Sequence, residues 1–211
     1  MKRLAAVQKE EDVPIPAIEL KPISDLIDAL GKVVTGTKGL AGFAPDERKK
    51  YRDTMTETYR VIDTTLVMLI TRLTDVLRKN SAEFLDEVAL LESNADWLRV
   101  ERDFRLCGSL RTALSETKTT GGRLKGKLID KLVIGDWDAL LRLMDSILND
   151  EEEVADRVAQ GFRALACAAS NAKSQGTGEA AVKKETEAFR EALIAERERL
   201  IKQEIDLYNI V

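Results

Sequence analysis

The sequence predicts an all-α protein, a helical bundle of about six to seven helices with a long central helix and a long C-terminal helix. Three observations carry that expectation. All four prolines, Pro14, Pro16, Pro22 and Pro45, fall within the first 45 residues, so nothing later removes a helical N–H or fixes φ against a helix. No segment alternates apolar and polar residues with period two, as a half-buried strand would. From Pro45 onward apolar residues recur at steps of three and four over long stretches, which places them on one side of a helix.

Residues 1–22 read as an extended, mobile arm, and residues 23–211 as a single helical domain. Pro22 suits the first turn of a helix from about Ser24 to Leu40, where its missing N–H has no partner to lose. That helix carries Leu26, Ile27, Leu30, Val33 and Val34, but Gly31, Gly36 and Gly39 weaken its second half. Pro45-Asp46-Glu47 opens the central helix, with two acids against the positive end of its dipole, and it extends to about Lys79. Met55, Tyr59, Ile62, Leu66, Leu69, Leu73 and Val76 alternate steps of four and three, the seam of three heptads. Val61, Val67, Met68 and Ile70 add apolar surface beside the seam, so its middle is expected to be covered on more than one side.

Asn80, with Glu83 three residues on, forms a helix cap ahead of Phe84, Leu85, Val88 and Leu91. Beyond Asn94 the pattern resumes with Trp97, Val100, Phe104, Cys107 and Leu114, and Arg99 with Asp103 and Glu101 with Arg105 make a solvated ion-pair face. Thr119-Thr120-Gly121-Gly122 breaks it. A short basic helix over 123–132 follows, then a helix from Gly135 with Trp137, Leu140, Leu141, Met144, Ile147 and Leu148 inward. Asn149 and the acids behind it begin a helix that turns Val154, Val158, Phe162, Leu165 and Ala169 to the core, while Ala164, Ala166, Ala168 and Ala169 admit a close neighbour. After a loop over Lys173 to Gly178, the last helix spans about 179–208. It has two apolar stripes: Val182, Phe189, Leu193, Leu200 and Leu207, and, displaced around the helix, Ile194, Ile201, Ile205 and Tyr208.

Composition narrows the chemistry. Hydrophobic residues make up 44% of the chain and charged residues 33%, enough for a core with a solvated surface. The net charge of −4 gives no bulk attraction to polyanions, so nucleic acid is not an expected partner. There is no histidine, which excludes Ser-His-Asp and Cys-His catalysis and the commonest zinc ligand. Cys107 and Cys167 lie inside predicted helices among apolar residues and read as free core thiols. With no apolar run at the start fit for a signal peptide, none elsewhere long enough to span a bilayer, and no disulfide framework, the expected location is the cytoplasm.

The motifs with chemical meaning each meet a plainer explanation. Gly121 to Lys127 has the glycine and lysine spacing of a P-loop, but Leu128 stands where magnesium needs a hydroxyl, and no strand precedes it. The same stretch is the most basic in the chain: Lys118, Arg123, Lys125, Lys127 and Lys131 form a candidate anion or lipid patch, with no aromatic residue to stack on bases. Asp150, Glu151, Glu152, Glu153 and Asp156 lack the spacing of a calcium loop and suit a helix N-terminus. Ser115 with Lys118 and Ser170 with Lys173 have the spacing of a Ser-Lys dyad, without its companion motifs.

No catalytic, cofactor-binding or metal residues are assigned, and no cofactor or small-molecule ligand is expected. The expectation is a non-catalytic interaction protein, an adaptor, regulator or scaffold, with a protein partner or self-association through Ile194, Ile201, Ile205 and Tyr208. Two alternatives stand beside it. One is a membrane-active bundle whose Gly-rich segment Ile23 to Phe43 inserts into lipid while the basic patch meets the membrane surface. The other is a bundle that binds a cofactor or ligand between its helices.

Overall fold

A computed structural model describes residues 20–36, 45–93, 142 and 151–210, and every regular element among them is an α-helix. Five are defined: α1 (Lys21–Gly36), α2 (Pro45–Leu77), α3 (Ser81–Ala89), α4 (Glu151–Gln175) and α5 (Glu179–Ile210). The helices expected between residues 94 and 150 lie outside the described residues, so the count of six to seven is met in part.

Local sequence explains where each helix starts and stops. α1 begins at Lys21, three residues before the expected Ser24, because Pro22 is taken into the first turn. α3 is capped by Asn80, whose Oδ1 accepts a hydrogen bond from the Glu83 N–H at 3.1 Å. Between α4 and α5 the connection is Gly176-Thr177-Gly178, shorter than the expected Lys173 to Gly178. Gly176 takes φ +68° and the Thr177 N–H donates to the Ala172 carbonyl at 3.2 Å, the paired features of a Schellman end, which let α4 run on through Gln175. Gly178, at φ +90°, then gives its carbonyl to the Val182 N–H and starts α5.

The two long helices run antiparallel. Tyr59 is level with Gln203, Asp63 with Arg197, and the start of α3 with the start of α5 through Ser81 and Glu179. The seam of α2 is the core of the molecule: Met55, Tyr59, Ile62, Leu66, Leu69, Leu73 and Val76 are all buried. So is the first stripe of α5, Val182, Phe189, Leu193, Leu200 and Leu207. Steps of four and three along α2, and a recurrence chiefly every seven residues along α5, keep the two rows facing each other along two antiparallel helices. The extra cover on α2 is one-sided: Val61 is buried, Met68 and Ile70 are half-buried, and Val67 is 37% exposed.

Different helices complete the core at the two ends. Toward the α2–α3 turn, α3 and α4 pack on each other, α4 packs on α5, and α3 packs back on α2. Phe162 meets Phe189 there edge to face, with ring centroids 5.5 Å apart, and Lys173 pairs with Asp86 across α4 and α3. At the other end α1 packs on α5, with Ile23, Leu26, Ile27, Leu30 and Val34 buried in the same continuous core.

One expectation is corrected. Cys167 is exposed and free rather than a core thiol. Leu165, Ala169 and Ala172 fix the inward side of α4, and Cys167, two residues after Leu165, is turned by about 200° from it. Cys107 lies outside the described residues.

Candidate functional site

The candidate surface is the outer side of α5. The inward row Leu193, Leu200, Leu207 recurs every seven residues and fixes the rotation of the helix. Ile205 precedes Leu207 by two residues and therefore points nearly opposite, and Tyr208 follows it by three, on the adjoining turn. Ile205 is 56% exposed and Tyr208 55%. Ile194 and Ile201, higher on the same stripe, are half-buried. The four residues therefore form a stripe that opens toward the C-terminal end of the helix, with exposed Glu198 and Lys202 among them.

A polar margin separates this stripe from the α2 seam. The Arg197 guanidinium donates from Nε to Asp63 Oδ1 at 2.6 Å and from Nη2 to Oδ2 at 3.5 Å, a two-pronged pair between the helices. Glu204, about two turns on from Arg197, is held above the usual carboxylate range, first by burial and then by the nearby Asp63 charge. The Tyr59 phenol is raised too, chiefly because it is buried and then by the charges of Glu204 and Asp206. Its O–H donates to Gln203 Oε1 at 3.4 Å.

On the opposite side of α5, Arg199 fastens α1. Its Nη1 donates to Ser24 Oγ at 3.0 Å and to Glu196, while Nη2 pairs with Asp28. One turn further, the Gln203 side chain lies over Gly31. A Cβ added at Gly31 would fall 2.7 Å from Gln203 Cδ, closer than real side chains approach. Glycine at position 31 thus gives α1 room to sit against the Gln203 amide.

These polar links were not expected from the sequence. Their sole trace in it is Gly31 inside an otherwise apolar helical pattern, read above as a weakness of the helix. The basic residues Lys118, Arg123, Lys125, Lys127 and Lys131, the Gly121 to Lys127 spacing and Ser115 lie outside the described residues. Ser170 is exposed and its spaced partner Lys173 is engaged with Asp86. The acidic start of α4 is helical, and among the described residues no group of three or more His, Cys, Asp or Glu is placed to hold a metal ion. Also among the described residues, no helix is long and apolar enough to cross a membrane.

No family model, curated protein or solved structure matches this chain.

Proposed function

We propose that this chain is a non-catalytic helical-bundle interaction protein, an adaptor, regulator or scaffold that works through a helix surface rather than a pocket. The observation that carries the reading is the pair Ile205 and Tyr208, each more than half exposed on a helix whose other apolar stripe already serves the core. Isolated apolar side chains on a surface are ordinary, but here they continue a stripe with Ile194 and Ile201 along 15 residues of one helix, from 194 to 208.

Ile205 and Tyr208 supply what a docking centre uses, an aliphatic anchor beside a tyrosine whose hydroxyl can meet a polar rim. Glu198, Lys202 and Asp206 supply that rim. Self-association through this stripe is the form of the proposal that is tested first, by light scattering on the wild-type chain and on the double variant Ile205→Glu, Tyr208→Glu. Both positions are exposed, so the variant removes the surface without placing a charge in the core.

A further inference from the structure

Glu204 sits at the edge of the candidate surface. It follows Ile201 by three residues and precedes Tyr208 by four, so its side chain leaves α5 beside both. Like Ile201 it is half-buried. Among the described residues its carboxylate has no hydrogen-bond or ion-pair partner.

The cations near it are turned away or engaged. Lys202, two residues earlier on α5, is exposed and rotated by about 200° from Glu204. Arg197, two turns back, is held by Asp63 of α2. On α2, Arg60 is held by Glu57, and Arg52 lies against Asp53. The groups that do face Glu204 from α2 bring no positive charge, being the Asp63 carboxylate and the buried Tyr59 phenol. Asp206 of α5 adds a further negative charge around Tyr59. α1 meets α5 at Arg199, which holds Ser24 and Asp28, while Lys32 of α1 is exposed and makes no ion pair. α4 meets α5 at Phe189, about four turns before Glu204.

An unpaired carboxylate keeps its charge only while water reaches it. A second copy seated over Ile201, Ile205 and Tyr208 would cover the adjoining Glu204 and take that water away, with no cation to replace it and Asp63 close by. The protonated form has an O–H to donate and no charge to solvate, so it is the form that suits a covered face. Partial burial and Asp63 already push Glu204 in that direction in the single chain.

We propose that self-association through the Ile205 and Tyr208 stripe is coupled to proton uptake by Glu204, so that the assembly tightens as pH falls. The inference rests on the reading of that stripe as a self-association surface and adds its regulation. Each copy takes up a proton from water as the face closes and gives it back as the face opens. A carboxyl that holds its proton more tightly in the assembly than in the free chain strengthens association fully below its free-chain value. That gain is lost as pH climbs through the value in the assembly.

The test is light scattering over a concentration series at about pH 5.5 and about pH 7.5, on the full chain as wild type, Glu204→Gln and Glu187→Gln. Glu187 is exposed and lies well before the stripe, so its variant makes the same change in net charge away from Glu204. That control is needed because the chain's net charge of −4 shrinks toward zero in acid, which favours association of any kind. Wild type and Glu187→Gln are expected to associate about tenfold more tightly at the lower pH, the result of raising each of two carboxyls by about one unit. Glu204→Gln is expected to associate at both pH values as tightly as wild type does at the lower one. The inference is overturned if Glu204→Gln keeps the wild-type pH response, or if wild type assembles equally at both pH values; either result leaves the stripe standing as an assembly surface. It is also overturned if acid-strengthened assembly survives in Ile205→Glu with Tyr208→Glu, which would put the contact elsewhere. If wild type and Glu204→Gln both stay single chains at both pH values, the stripe reading and this inference fall together.

Discussion

The Gln203 side chain occupies the space that a Cβ on Gly31 would enter, while its Oε1 accepts from the buried Tyr59 hydroxyl at 3.4 Å. An unobstructed glycine-to-alanine change inside a helix stabilises by up to about 1 kcal/mol. At Gly31 the gain is offset, because Gln203 must move and give up a hydrogen bond worth about 0.5 to 1.5 kcal/mol. Gly31→Ala is therefore expected to leave stability unchanged or lower in wild type, and to raise it by about 1 kcal/mol in a Gln203→Ala background. Urea unfolding of the four proteins gives the coupling directly.

Leu69 sits in the middle of the α2 seam and is 3% exposed. Leu69→Ala leaves a cavity that rigid neighbours on α5 close only in part, so it is expected to cost about 2 to 5 kcal/mol. A melting temperature equal to that of wild type would show that the seam does not bear on the core.

Asn80 caps α3 through its side chain. Asn80→Ala leaves the Glu83 N–H to water and is expected to cost about 1 kcal/mol. Asn80→Asp should recover it, since a carboxylate accepts the same bond and faces the positive end of the helix dipole. Denaturant midpoints of the two variants make the comparison.

Glu204 is raised from its ordinary 4.5 by burial and by Asp63. A carboxyl raised in the folded state binds its proton more tightly there than when unfolded, so its contribution to stability is full below the unfolded value and lost as pH climbs through the folded one. Glu204→Gln removes the charge permanently. Relative to wild type it is expected to be stabilising at about pH 7 and close to neutral at about pH 3.5, where the wild-type carboxyl is protonated as well. Paired melts at the two pH values read this difference, and a constant offset would contradict it.

The elements that were legible in the sequence are those governed by local rules. The α2 seam follows from spacing alone, the α3 start from Asn80 and Glu83, and the inward row of α5 from Leu193, Leu200 and Leu207. What escaped depends on how helices distant in sequence come level with each other. Gly31 looked like a helix breaker because nothing local announces that Gln203, 172 positions later, will lie over it. Cys167 looked internal because alanines surround it, although the inward row of α4, Phe162, Leu165 and Ala169, already turns position 167 outward. The four residues of the outer α5 stripe shared a side by spacing, but how much of each is open depended on how the neighbouring helices lie, as where Asp63 of α2 meets Arg197, which spacing does not encode.

The central claim is that the outer stripe of α5 is an interaction surface, and size-exclusion chromatography with light scattering tests it most directly. Wild-type chain is expected to give a concentration-dependent mass of a dimer or larger assembly. Ile205→Glu with Tyr208→Glu is expected to return the mass to that of the 23.5 kDa chain, with helix content by circular dichroism unchanged. A wild-type mass that stays at one chain at high concentration, or a double variant that assembles as wild type does, would contradict the account.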